Sequence, residues 1–405
     1  MKRLRSKTAS EAGAPRRIPS GRGRHPFLPR FHGARLTTNR NPVDMDIPSR
    51  LQQACALLLL LLFAGAGAAA PPLPGLAAST DDVTVSGISA GGYMAVQFQV
   101  AYSGIVRGAG VVAGGPYYCA EGSLRRALGN CMAPSGNALP PTAAATMQTV
   151  ARLAAADRID QVRNLRDDRV WLLAGGNDKT VLPPVMEALE AFYRVTLPAD
   201  AIRFVKVPEA GHAMLSVADP QANACPTSAS PFINRCQEID AAGKLLAHLL
   251  GPLQAPAATP AGEMIVFDQR PFVRGRTIDA SLADEGYAFV PASCRGGGCR
   301  IHVAFHGCLQ DAGEIGRRFV DGAGYNGWAA SNRIVVLYPQ TVRRFGLAFG
   351  SFRWQLNPKG CWDWWGYTGA DYHTRDSVQM RAVRAMIGAL GMPPQPVQST
   401  GNPNR

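Results

Sequence analysis

The sequence predicts an α/β fold with a mostly parallel central sheet flanked by helices, and three observations carry that reading. Short apolar runs alternate with stretches of helical pattern through residues 83–250, the signature of strand–helix–strand units. The alternation resumes over 301–390, beyond a Pro- and Ala-rich stretch holding Pro252, Pro256 and Pro260. Apolar residues make up 46% of the 405 positions against 18% charged, enough to bury a sizeable core.

In order along the chain, residues 83–85 read as a strand running into the glycine-rich turn 87–92, and 90–102 as a helix. Residues 106–112 read as a buried strand, 146–159 as a helix and 170–174 as a strand. A helix over 184–195, a strand over 202–207 and a helix over 239–250 complete the first half. The second half yields strands at 301–305 and 334–338 and a helix over 377–390. That is too few strands for a separate sheet, so one domain over 71–392 is expected, with a tail over 393–405.

The net charge of +13 invites a nucleic-acid reading, but nine of those charges fall within residues 1–50. The rest of the chain shows no basic stripe interleaved with aromatics, so no nucleic-acid partner is expected. The charged stretch precedes a six-leucine run at 57–62, Phe63 and a run of Ala and Gly ending at Ala70. An apolar core ending in small residues reads as a cleavable export signal over 45–70. It is short of the ~20 residues that a membrane span needs, so no stable membrane association is expected once it is removed. Residues 1–44 then read as a disordered or wrongly assigned extension.

Beyond Cys55 the chain holds eight cysteines, an even number that in an exported protein argues for disulfides. Spacing favours three close pairs, Cys119–Cys131, Cys225–Cys236 and Cys294–Cys299. Cys308 and Cys361 remain to join each other, although eight cysteines allow many other pairings.

The motif with chemical content is Gly87-Ile88-Ser89-Ala90-Gly91, followed by Gly92. A serine on a tight strand-to-helix turn needs small neighbours, and the turn lifts its hydroxyl clear. It also aims the next backbone N–H and the helix N-terminus at developing negative charge. As bare letters G-x-S-x-G is weak among 43 glycines; the strand before it and the helix after it are what strengthen it. Asp178 follows the strand over 170–174, where ligands of such sheets gather. His212 follows the strand over 202–207 and is the only histidine between Ser89 and His248. Ser, then Asp, then His is a chain order used by nucleophilic hydrolases. Ser89 is the expected nucleophile, His212 the general base and Asp178 the group that orients it.

One component is out of place. The second oxyanion donor of such an enzyme normally sits ahead of the nucleophile. Here the fitting loop, His306-Gly307-Cys308-Leu309-Gln310, follows the strand over 301–305, and the helix over 377–390 is the one expected just before the nucleophile strand. Reading 301–390 first and 82–250 second restores an ordinary order. The fold is therefore expected to be a circularly permuted α/β-hydrolase fold.

With the elbow at 87–92, the His306-Gly307-Cys308 turn, Tyr338-Pro339-Gln340 and Cys361-Trp362-Asp363-Trp364, the chain resembles the polyhydroxybutyrate depolymerases with a permuted catalytic domain. The resemblance spans nearly all of 80–392. It implies a polyester or oligoester substrate, with Ser89, Asp178 and His212 as the triad and the N–H groups of Ala90 and Cys308 as oxyanion donors. It further implies a Cys308–Cys361 disulfide that pins the second donor, and Trp362 lining the substrate crevice. It implies a catalytic domain only, like the fungal and periplasmic members, secreted to the periplasm or beyond the cell.

Rival readings are weaker. Cys294, Cys299, His302 and His306 have a zinc-like spacing, but residues four apart on a strand lie about 13 Å from one another. No metal or organic cofactor is expected. Trp362, Trp364, Trp365 and Tyr367 divide between core and groove, and His373 reads as a surface group or a neighbour of the helix start. Among functions, an esterase of soluble feruloyl or acetyl esters and a non-catalytic polymer-binding protein are the alternatives.

Overall fold

A computed structural model describes residues 69–349, 352 and 354–394. The expected extension over 1–44, Cys55, all but the end of the expected signal over 45–70 and most of the tail over 393–405 lie outside the described residues.

Eight strands form the main sheet: β1 (Val83–Ile88), β2 (Val106–Val112), β3 (Arg169–Gly175), β4 (Ile202–Val207), β8 (Gly262–Asp268), β9 (Glu285–Pro291), β10 (Arg300–Phe305) and β11 (Ile334–Tyr338). Between them, β5 (Met214–Leu215), β6 (Asn223–Ala224) and β7 (Ile233–Arg235) make a small separate sheet, and β12 (Arg344–Leu347) pairs with β13 (Trp354–Asn357). The main sheet runs β4-β3-β2-β1-β10-β11-β9-β8. Its first six strands are parallel, and β9 and β8 close the far edge antiparallel. The strands β8 and β9 are absent from the sequence reading; both are short apolar runs set among Gly and Pro.

The middle of the sheet is buried on both faces, as parallel strands covered by helices are, and the polar groups it carries, Thr84, Ser86 and His302, bond one another. All six residues of β1 are buried. The helix behind it, α1 (Ala90–Ala101), has every residue buried; its mostly apolar circumference suits a helix enclosed on all sides, and its two glutamines are hydrogen-bonded, Gln97 to the Asp363 carbonyl and Gln99 to Asp168. Short helix α2 (Leu124–Leu128), α3 (Ala143–Ala155), α4 (Pro183–Tyr193), α5 (Ala241–Leu250), α6 (Tyr325–Asn332) and α7 (Val378–Gly391) supply the surrounding layers.

Numbered from β8 onward, the sheet reads 1-2-4-3-5-6-7-8 from edge to edge, the continuous progression of a circularly permuted α/β-hydrolase fold. The join is visible. The N–H groups of Leu76 and Ala78 donate to the carbonyl of Leu390 at 3.0 and 3.1 Å, and Ala77 N–H donates to Met392 at 2.8 Å. The segment leading into β1 thus leaves from the end of α7. Four disulfides join Cys119 to Cys131, Cys225 to Cys236, Cys294 to Cys299 and Cys308 to Cys361.

At the N-terminal end of β3, the buried Asp168 accepts from Gln99 Nε2 at 2.8 Å, while Tyr193 donates to Gln99 Oε1 at 2.6 Å. The second Asp168 oxygen has no partner among the described residues, and burial pushes this carboxyl up to about 7. A carboxyl raised above its unfolded value of about 3.9 favours folding only while it is protonated. Its contribution is full below that value and is lost as pH rises through 7. Asp168→Asn is therefore expected to change little near pH 4 and to stabilise the domain by about 1–3 kcal/mol at pH 8, as measured by denaturant melts at both pH values. An equal gain at both would contradict this account.

Candidate active site

The turn between β1 and α1 is strained in a specific way. Ser89 has φ 56° and ψ −123°, a left-handed backbone that a side chain tolerates only where the surroundings force it. Its N–H donates to the carbonyl of Val112 at 2.9 Å, which ties the turn to β2. The two glycines of the motif are needed for space. A Cβ at Gly87 would come within 2.2 Å of the Gly91 carbonyl oxygen, and one at Gly91 within 2.3 Å of the Phe305 oxygen. The second contact matters most, because it lets the end of β10 lie directly against the turn. The Ser89 side chain makes no capping bond to α1, so its hydroxyl is left for other work.

Asp178 follows β3, and His212 lies on the loop after β4. Gly176 N–H donates to Val207 and Asn177 N–H to Ala210, at 2.8 and 3.0 Å, so the two loops are laced together. Both side chains are buried. His212 Nδ1 donates to Asp178 Oδ2 at 2.7 Å, which leaves Nε2 as the imidazole's acceptor. The other carboxylate oxygen, Oδ1, accepts from the N–H groups of Thr180 and Val181 at 2.7 and 2.9 Å. From the far side, Ser228 Oγ accepts the His212 backbone N–H at 2.8 Å. The pair is thereby held at both carboxylate oxygens, at Nδ1 and at the His212 backbone. No hydrogen bond joins Ser89 to His212 among the described residues, although both line the same cavity; such bonds commonly tighten only around substrate.

The loop after β10 is held just as firmly. His306 is fully buried; its Nδ1 donates to the Gly307 carbonyl at 2.7 Å and its Nε2 accepts from Thr341 N–H at 3.2 Å. That donor–acceptor pattern requires the neutral ring, and burial lowers its pKa to about 4. Because the peptide is planar and trans, fixing the Gly307 oxygen turns the Cys308 N–H to the opposite side. Gly307 N–H is held by Gln310 Oε1 at 2.8 Å, and Gln310 Nε2 donates to Pro231 at 2.9 Å. Neither Ala90 nor Cys308 donates its N–H to a partner among the described residues. The Cys308–Cys361 bond closes the loop from the other side.

These segments enclose a cavity of about 430 Å³ lined by Ser89, His212, Cys308, Leu128, Trp364 and Trp365, among others. The resemblance assigns Trp362 to this crevice, and the structure corrects that assignment. Trp362 has no exposed surface and packs edge-on against Phe305, with ring centroids 5.0 Å apart. The cause is Asp363. Its Oδ1 accepts the N–H groups of Trp365, Gly366 and Tyr367, and its Oδ2 accepts the N–H and hydroxyl of Thr368. Wound around one carboxylate, the loop turns Trp362 inward and delivers the next two tryptophans to the cavity. Trp364 is stacked on Tyr93 at 4.0 Å. His373, read as a surface group, is also buried, against Tyr118 at 3.9 Å. The zinc-like quartet is otherwise engaged: Cys294 and Cys299 are disulfide-bonded, and His302 bonds the hydroxyls of Thr84 and Ser86.

The permuted sheet and a serine elbow facing an Asp–His pair define an α/β hydrolase. No family model matches the chain. It is 41% identical over 341 residues to poly(3-hydroxybutyrate) depolymerase of Delftia acidovorans, an overlap that covers 81% of this chain and 65% of that protein. It is 35% identical over 325 residues to polyhydroxybutyrate depolymerase of Talaromyces funiculosus, covering 79% of this chain and 92% of that one. The chain belongs to the polyhydroxybutyrate depolymerase family. It spans about two thirds of the Delftia relative's length. Two solved structures share the fold at 32% identity, over 80% of this chain and all of theirs. One is a serine-to-alanine PHB depolymerase complexed with an R3HB trimer, with a TM-score of 0.71; the other is PHB depolymerase from Penicillium funiculosum, at 0.70.

Proposed function

We propose that this chain is an exported serine esterase that cleaves the ester bonds of poly(3-hydroxybutyrate), or of related polyhydroxyalkanoates and their oligomers, through an acyl-enzyme. The observation that carries the reading is the hydrogen-bonded Asp178–His212 pair, which opens on the same apolar cavity as the strained Ser89. The relatives' names supply the polyester, and a cavity walled by Leu128, Trp364 and Trp365 suits its methyl-bearing, uncharged chain. Four disulfides favour an oxidising compartment. None of the described helices is long and apolar enough to cross a membrane.

Ser89 Oγ attacks the ester carbonyl as His212 Nε2 takes its proton, and Asp178 stabilises the imidazolium that forms. The N–H groups of Ala90 and Cys308 receive the oxyanion, each worth about 3 kcal/mol to the transition state. The imidazolium then protonates the leaving alkoxide, and a water activated by His212 releases the acid.

The held Gly307 peptide gives His306 a positioning role in this scheme. His306→Ala is expected to lower kcat about a hundred-fold with little change in KM. His306→Asn, whose amide can donate from the Nδ1 position, should recover part of the loss. Equal losses in both variants, or a change confined to KM, would remove that role.

The test of the whole reading is release of 3-hydroxybutyrate from amorphous polyhydroxybutyrate granules by the purified protein. Rapid turnover of short soluble feruloyl or acetyl esters with inert granules would replace the polymer by a soluble substrate.

A further inference from the structure

Besides His212, Lys359 is the only ionisable residue lining the cavity among the described residues. The same lining includes Leu356, Pro358, Trp364 and Trp365. Among the described residues no carboxylate lies within ion-pairing distance of its ammonium, whereas Arg126 is paired with Glu121 and Arg343 with Glu314. The root of the side chain is fixed. Leu309 N–H donates to the Lys359 carbonyl at 2.8 Å, Thr341 Oγ1 donates to the next carbonyl, Gly360, at 2.5 Å, and Cys361 is bonded to Cys308. Lys359 is an exposed residue of the lining, so a flexible four-carbon stem springs from a rigid point beside the Cys308 loop and leaves its charge free to meet a ligand there.

The interior of a polyester carries no charge that such a cation could read. A 3-hydroxyalkanoate chain has one ionised group, the carboxylate at its acid end. We propose that Lys359 binds that terminal carboxylate and so seats the last hydroxy-acid unit of an oligoester as the leaving group, a specificity that rests on the esterase reading above. Ser89 Oγ replaces the alkoxy oxygen at the penultimate carbonyl, and the serine proton passes through His212 to the departing oxygen. The released fragment is one 3-hydroxy acid, its carboxylate held by Lys359 until it leaves. Water then frees the shortened chain, whose new carboxylate can take the same place.

The experiment compares two substrates that each have a single ester bond: the (R)-3-hydroxybutyrate dimer as its free acid, and the same dimer as its primary carboxamide. The wild-type protein is expected to show a KM about 5- to 10-fold lower for the acid at low ionic strength, with similar kcat, since a charge-assisted contact made equally in ground and transition states acts on KM. The acid-to-amide ratio should fall to near one in Lys359→Met and survive in Lys359→Arg. Equal KM values for acid and amide in the wild type, or a preference that persists in Lys359→Met, would overturn the proposal. Hydrolysis of neither dimer, alongside inert granules, would overturn the esterase reading and this proposal with it.

Discussion

Ser89→Ala should lower kcat for ester hydrolysis by about a million-fold, to the level left by binding and the oxyanion donors alone. Ser89 occupies the strained turn between β1 and α1, and its hydroxyl is not spent on capping α1. The change removes one oxygen and leaves the backbone conformation for alanine to satisfy, so the fold should persist. Stopped assays on a soluble 3-hydroxybutyrate ester, with circular dichroism as a control, read the effect. Turnover within ten-fold of wild type would show that another group is the nucleophile.

Asp178→Asn should cost about ten-thousand-fold in kcat without unfolding the domain. The size of the loss follows from how the carboxylate is held. Oδ1 accepts two backbone N–H groups, from Thr180 and Val181, so an asparagine must keep its carbonyl oxygen there. Its amide then faces His212 Nδ1 as a donor, at the place where Oδ2 now accepts at 2.7 Å. The imidazole is forced into the other tautomer, with the proton on Nε2, where it cannot take one from serine. A variant that retained wild-type kcat/KM at neutral pH would remove Asp178 from the mechanism.

Much of this arrangement can be read from the chain before any coordinates, because it is written in local patterns. The strands β1, β2, β3, β4, β10 and β11 are short apolar runs between helical stretches, and the glycines at 87 and 91 mark a turn without room for side chains. The permutation is legible because the His306-Gly307-Cys308 loop comes last in sequence, although the sheet needs it next to β1. What escapes sequence reading has no periodic signal. Strand β8 forms the edge and β9 lies next to it, and the two are bounded by Gly262 and Pro291, where turn residues mask the apolar run. The orientation of the tryptophans depends on five hydrogen bonds to Asp363 inside an irregular loop, and nothing in the spacing of Trp362, Trp364 and Trp365 foretells which face the cavity. His373 shows the same limit, since burial conferred by a distant segment such as 117–118 leaves no trace beside it.

The bonds between Leu390 and the amides of Leu76 and Ala78 place two remote stretches of the chain side by side. A short peptide splice there, with a new opening cut within the proline-rich stretch around 252–260, would reorder the gene while leaving the folded interior alone. In the rewired polypeptide the strand leading to Cys308 would be synthesised before the strand leading to Ser89. The pocket would then be assembled from neighbours in time as well as in space, which makes this junction the place to ask whether synthesis order governs how readily the enzyme matures.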